Sequence, residues 1–129
     1  MILSTTAKGP ERKGRKLARW LSEIIPNSKY IPRGEKTLER MVELARKQGL
    51  TRVVIVNKKP AVIKCIKVEG NSWKWHDKVI NIKDTKIDNI QPIYIKCKDK
   101  FLIDFFDIHS EDSEYELVYN GKLQVINNE

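Results

Sequence analysis

Between residues 8 and 19 the sequence reads KGPERKGRKLAR, with Lys8, Arg12, Lys13, Arg15, Lys16 and Arg19 as its cations. Cations at this density, placed where a helix begins and its first backbone N–H groups are unpaired, suit one kind of chemistry, the binding of phosphate oxygens. Lys8 and Gly9 read as a loop, and Pro10 fits a first helical position because its missing N–H would be unpaired there anyway. Other chemistries find less to work with. His76 and His109 are the only histidines, and with Cys65 and Cys97 they lack the close pairing that prepositions a zinc site. Asp84, Asp88, Asp99, Asp104 and Asp107 are of the right type for magnesium, but they are strewn over segments expected at the surface, where a solvated face is the better reading. No G-x-x-x-x-G-K-[ST] or G-x-G-x-x-G loop is present, and no spacing suggests a nucleophile beside a base. These residues are expected to form no catalytic site and to need no metal or cofactor.

The chain of 129 residues has a net charge of +8, and where that charge lies matters more than its size. Residues 1–60 hold fifteen Lys/Arg against five Glu, whereas residues 61–129 hold ten Lys against twelve Asp/Glu. Such an imbalance sets up a one-sided field that attracts polyanions, of which nucleic acid is the commonest in the cytosol. A lysine-rich solvated surface would account for many of the charges but not for their segregation. No apolar stretch approaches the ~18 residues of a membrane span, and the opening residues lack a secretory signal. A cytoplasmic location without membrane contact is therefore expected, with both cysteines as free thiols. The length suits a single domain over 1–129, in halves of approximately 1–60 and 61–129.

The elements around the basic run must position it. Residues 2–6, apolar and then hydroxyl-bearing, suit a short first strand. In the helix that follows, Leu17, Ala18, Trp20, Leu21, Ile24 and Ile25 share one arc, while Arg12, Arg15, Lys16 and Arg19 share the opposite one. Pro26 and Asn27 end it. A second short strand over 28–31 leads into Pro32-Arg33-Gly34, a turn that holds its arginine in place. Arg33 joins the candidate phosphate-binding set if strands one and two lie side by side. A second helix, from Glu35 or Thr37 to Gln48, puts Leu38, Met41, Val42, Leu44 and Ala45 on one face, with Gly49 as its stop and Glu43 and Lys47 as an i,i+4 pair. Arg52–Asn57, with four consecutive β-favouring residues, reads as a central strand buried on both faces.

After Pro60 the periodicity changes. Val62, Lys64, Ile66 and Val68 alternate with the other face, Gly70-Asn71 turns the chain, and residues 73–82 alternate again, the pattern of an antiparallel hairpin. Trp73 and Trp75 fall on one face of it and read as a sheet-packing pair in preference to a base-stacking platform. Residues 93–98 read as a strand, and 98–108 as a short helix in preference to a strand. Residues 115–119 and 123–126 read as a terminal hairpin across a two-residue Asn120-Gly121 turn. The fold class is α/β (α+β), a strand-helix-strand-helix-strand first half followed by a β-rich second half.

The Thr-rich strand end, the basic loop and helix, the Pro26-Asn27 break, Ile31-Pro32-Arg33-Gly34, the Leu38-containing helix, Gly49 and the RVVIVN strand together resemble Brix-domain ribosome-biogenesis proteins in their short archaeal form. Members carry a Thr-Ser-Arg-like element after strand one, where this chain has Thr5-Thr6-Ala7-Lys8, and an Arg-Gly pair after strand two, here Arg33-Gly34. The resemblance implies two similar halves, each like an anticodon-binding domain, and a non-catalytic role. That role is to bind ribosomal RNA, its precursor or small guide RNA, and to assist rRNA processing and assembly among ribosomal or assembly proteins. Lys8, Arg12, Lys13, Arg15, Lys16, Arg19, Arg33 and Lys36 are the residues expected to touch RNA. With no base-reading motif in view, they would recognise phosphate and shape, as in structured helices or junctions. The alternative is a scaffold that docks a basic ribosomal or assembly protein through the acidic C-terminal third from Asp99 onward.

Overall fold

The apolar run of residues 53–56 has no polar side to turn to water, and a strand covered on both faces accommodates it. The computed structural model, which describes residues 1–9, 12–83, 85 and 95–128, is built around that strand. In chain order the elements are β1 (Ile2–Thr6), α1 (Arg12–Ile24), β2 (Lys29–Tyr30), α2 (Leu38–Lys47), β3 (Arg52–Asn57), β4 (Val62–Val68), β5 (Trp73–Trp75), β6 (Ile80–Asn81), α3 (Lys100–Phe106), β7 (Tyr115–Tyr119) and β8 (Leu123–Asn127). The main sheet has the order β2-β1-β3-β4-β5, with β6 also paired to β4. β1 runs parallel to both β2 and β3, while β4 is antiparallel to β3, β5 and β6. β3 thus sits at the centre of a mixed sheet, and the fold is mixed α/β.

Alternation along the strands decides which helix covers which face. Ile2, Val54, Val56, Ile63 and Cys65 share a core with Leu17, Ala18, Trp20, Leu21, Ile24 and Ile25, the arc that periodicity marks on α1. Leu3, Val53, Ile55 and Ile66 point the other way and meet Met41, Val42 and Ala45 of α2. Burying each large apolar side chain stabilises by about 1.5–3 kcal/mol, so the orientation of α1 is fixed and its cations face water. Pro10, expected to begin this helix, lies outside the described residues. α2 starts later than Glu35, because Lys36 N–H donates to the Arg33 carbonyl (3.1 Å) and closes a turn there. Thr37 caps the helix, its hydroxyl accepting from Arg40 N–H at 3.1 Å, a contribution of about 1 kcal/mol.

The second half departs from its expected pattern in several places. The strand over 73–82 is two pieces, β5 and β6, both on β4 but separated by His76 and its neighbours. His76 N–H still donates to the Cys65 carbonyl (2.8 Å) while its ring meets Asp104 (Nε2 to Oδ2, 2.9 Å), and the pairing with β4 resumes only at Ile80. Trp73 packs against the α2 side of the sheet, and Trp75, 44% exposed, meets it edge to face with ring centres 5.9 Å apart. Of the strand expected over 93–98, residues 93 and 94 lie outside the described residues, and Lys96 makes a single parallel bridge to Glu116. Residues 98–108 contain a helix, α3, because Asp99 caps it by accepting from Phe101 and Leu102 N–H (2.9 and 3.3 Å) and Asp107 closes it in the left-handed conformation. The terminal hairpin forms with three loop residues, since Tyr119 pairs with Leu123 and Gly121 takes φ +74°. From residue 95 on, the described order is the bridge at Lys96, α3, β7 and β8, with Lys96 parallel to β7 and β7 antiparallel to β8.

The halves nonetheless share a core. Leu102, Phe105, Phe106, Leu117 and Leu123 belong to the same cluster as the buried face of α1. Cys65 and Cys97 are free and buried in it, and burial pushes both thiol pKa values up, Cys65 to about 12. Among the described residues no helix is long and apolar enough to cross a membrane, and no three His, Cys, Asp or Glu side chains converge as metal ligands.

Candidate nucleic-acid interface

Because β1, β2 and β3 are parallel, the loops that leave their carboxyl ends collect on one edge of the sheet, where α1 also begins. From β1 the chain passes through α1 to β2 on one side, whereas from β3 it passes to β4 on the other. Loops that diverge in this way leave a crevice between the two strands, the usual ligand position in open α/β sheets. A cleft of about 190 Å³ opens there. Its walls include Ala7, Leu17, Val56, Ala61 and Ile82, and Lys8, Lys13, Lys58 and Lys83 contribute to its lining while remaining exposed to solvent.

Backbone hydrogen bonds hold these walls. Ala7 N–H donates to the Val56 carbonyl (3.0 Å), extending the β1–β3 ladder to the mouth of the cleft. Ile82 N–H donates to the Ala61 carbonyl (3.1 Å) and Thr85 N–H to the Ile82 carbonyl (3.1 Å), which brings the segment after β6 over the far side. Gly14, within α1, is also in the lining. A Cβ there would stand 3.9 Å from Val56 Cγ1, an ordinary contact, so sterics do not demand glycine. Glycine within a helix costs about 1 kcal/mol relative to alanine. What it leaves here is open space. Thr85 is buried, and its hydroxyl has no hydrogen-bond partner among the described residues.

The cations singled out in the sequence fall into three positions. Lys8 and Lys13 line the cleft. Arg12, Arg15, Lys16 and Arg19 are exposed along the outer side of α1, where the Arg19 guanidinium also lies 5.2 Å from the centre of the Tyr30 ring. Arg33 and Lys36 sit in the turn after β2. The condition set for Arg33 is met, because β1 and β2 are neighbours and its guanidinium reaches the end of β1. It is buried, however, and donates through Nε to the Lys36 carbonyl (2.7 Å) and through Nη1 to the Thr6 carbonyl (3.2 Å). Desolvation pulls its pKa down, but a guanidinium starts so high that it stays charged. Lys36 Nζ donates to the Pro32 carbonyl (3.1 Å). Arg33 fastens the β1–β2 edge from within, Lys36 bonds the turn beside it at the surface, and the α1 cations with Lys8 remain exposed.

Lys58, Lys83, Gly14 and Thr85 are the residues that reading the sequence missed. Lys58 follows the RVVIVN strand, so the carboxyl-end rule finds it once β3 is known to run parallel to β1. Lys83 and Thr85 have no local signal, since they reach the cleft only through the pairing of β6 with β4. Of the acids considered as metal ligands, Asp84 and Asp88 lie outside the described residues. Asp99 and Asp107 cap α3, and Asp104 meets His76.

No protein-family model matches the chain. In sequence it is 36% identical over 76 residues to a protein of Pyrococcus horikoshii, and 34% identical over 76 residues to one of Thermococcus kodakarensis. Both are described as probable Brix domain-containing ribosomal biogenesis proteins. Its sequence relatives are Brix-domain proteins. Each alignment covers 57% of this chain and 34% or 36% of the relative, so the chain matches about a third of the length of these Brix-domain proteins. Among solved structures, the probable ribosomal biogenesis protein of Aeropyrum pernix K1 superposes with a TM-score of 0.70 at 17% identity, over 98% of this chain and 88% of that one. An archaeal Imp4-like protein superposes with a TM-score of 0.58 at 18% identity, over 93% and 81%. At these identities the likeness speaks for a common fold.

Proposed function

We propose that the chain is a non-catalytic RNA-binding factor of ribosome biogenesis, acting in the cytoplasm on ribosomal RNA or its precursor. The observation that carries this reading is the gathering of cations on rigid supports at one sheet edge, with Lys8, Lys13, Lys58 and Lys83 around the cleft and Arg12, Arg15, Lys16 and Arg19 along α1. Helix α1 fixes the spacing of Arg12, Lys13, Arg15, Lys16 and Arg19, so a phosphate backbone meets a partly preorganised surface there and loses less entropy in ordering it. The names of the Brix-domain relatives supply the ribosomal context. The α1 side chains reach no base-reading motif and suit phosphate contact, which positions an RNA without reading its sequence.

Polarisation of a labelled rRNA fragment, measured over a salt series, tests the reading. The expected result is binding whose log affinity falls linearly with log salt, with a slope set by the number of phosphates engaged. Absence of binding at about 50 mM salt overturns the proposal. Sequencing of RNA crosslinked to the protein in cells then identifies the transcript.

A further inference from the structure

We infer that the cleft between the ends of β1 and β3 receives one unstacked nucleobase of single-stranded or bulged RNA, with the adjoining phosphates on its lysines. This deepens the RNA-binding reading and rests on it. The lining selects among ligand classes. Ala7, Leu17, Val56, Ala61 and Ile82 make the walls largely aliphatic, which is a poor environment for a bare phosphate that would have to shed its water. The four lysines, with no carboxylate among the described lining residues, argue against a neutral apolar ligand and for one that carries negative charge beside an apolar part. At about 190 Å³ the cleft is smaller than the roughly 300–1,000 Å³ of pockets that enclose a drug-sized molecule. It has space for a planar ring system, leaving sugar and phosphate at the mouth. Recognition of unstacked bases in loops and bulges is the usual route to RNA selectivity.

A further observation bears on the same space. Gly14 occupies a helical position where alanine would fit and would favour the helix, so its effect is to keep the cleft open. A larger side chain at position 14 would enter the cleft from α1.

The test compares Gly14→Leu with the unaltered protein on three RNA probes of equal length: a single strand, a duplex with a one-nucleotide bulge carrying 2-aminopurine, and a perfect duplex. Adenosine monophosphate serves as a free-nucleotide probe. The expected result is a loss of roughly tenfold in affinity for the single strand and the bulge, no change for the perfect duplex, and loss of the 2-aminopurine fluorescence change. Equal affinities of Gly14→Leu and the unaltered protein for all three RNAs, with a thermal melt showing the variant folded, overturn the cleft while leaving RNA binding in place. If the unaltered protein binds none of the RNAs, the broader reading falls and the cleft with it. Binding of adenosine monophosphate that Gly14→Leu abolishes, with every RNA unaffected, overturns RNA as the source of the base. Should Gly14→Leu fail to fold, Gly14→Ala and Lys83→Gln carry the same comparison, and a bulge preference unchanged in both overturns the proposal.

Discussion

The outer side of α1 and the surroundings of α3 are both rich in charge, and they use it in opposite ways. Along α1, Arg12, Lys13, Lys16 and Arg19 are exposed to solvent on a helix whose other side is sealed into the core. Around α3 three acids are engaged within the chain. Asp99 caps the start of the helix, Asp107 accepts from the Thr51 hydroxyl, and Asp104 accepts from His76. Arg52 donates through Nε and Nη2 to the Asp104 carbonyl (3.1 and 3.0 Å), tying α3 to the central strand. The difference shows why net charge by region is an incomplete guide. Acids that look like a solvated face in sequence are fasteners, and three of the carboxylates that a docking surface from Asp99 onward would present already have partners.

The largest effect should come from removing presented charge. Changing Arg12, Arg15, Lys16 and Arg19 together to Ala is expected to weaken RNA binding on the order of 100-fold near 0.1 M salt and to flatten the salt slope by up to about one unit for each phosphate no longer engaged. Thermal stability should be almost unaltered, because these side chains lie outside the core. Polarisation and a parallel melt measure both. A variant that keeps full RNA affinity removes α1 from the presenting class.

Arg33 sharpens the distinction, since it belongs to the basic half yet behaves like the fasteners. Arg33→Met should destabilise the fold by about 1–3 kcal/mol, because the Thr6 and Lys36 carbonyls lose a charged donor at a buried edge. Urea unfolding gives the number. A strong loss of RNA affinity at unchanged stability would place Arg33 with α1 instead. Asp99→Ala should cost less, about 1 kcal/mol, as expected for loss of one helix N-cap, with RNA affinity unaltered.

How much of this was legible depended on how local the cause was. The buried arc of α1, the double burial of residues 53–56 and the stops at Pro26 and Gly49 follow from side-chain period and backbone restriction, and the structure reproduces them. The position of Arg33 was legible, but its burial was not, because the carbonyls that hold it lie on two separate segments. The strand over 73–82 failed for a similar reason. Its alternation is real, but His76 finds its partner on α3, 28 residues further on, and no local window contains both. The cleft was the least legible feature. It needs the parallel order of three strands, the return of the chain after β6 and a glycine whose role is to leave space, so only its two N-terminal lysines could be named beforehand.

The smallest expected effect tests whether Asp104 is a fastener or a solvated charge. The hydrogen bond from His76 holds the Asp104 carboxyl below its ordinary pKa, helped by the nearby charges of Lys67 and Arg52 and opposed by slight burial. A carboxyl depressed in the folded state binds a proton less readily there than in the unfolded chain. Its contribution to stability is therefore complete above the unfolded pKa and is lost as the pH falls through the folded one. Asp104→Asn should flatten the fall in stability across that acid window and leave RNA binding at neutral pH unchanged. Because about half of the side chain is exposed, solvent screening keeps the effect below about 1 kcal/mol. Urea unfolding of both proteins at several pH values measures it. Identical acid dependence in the two would show that Asp104 titrates as a free surface carboxyl, and α3 would then be held by its caps, by Arg52 and by the packing of Leu102, Phe105 and Phe106.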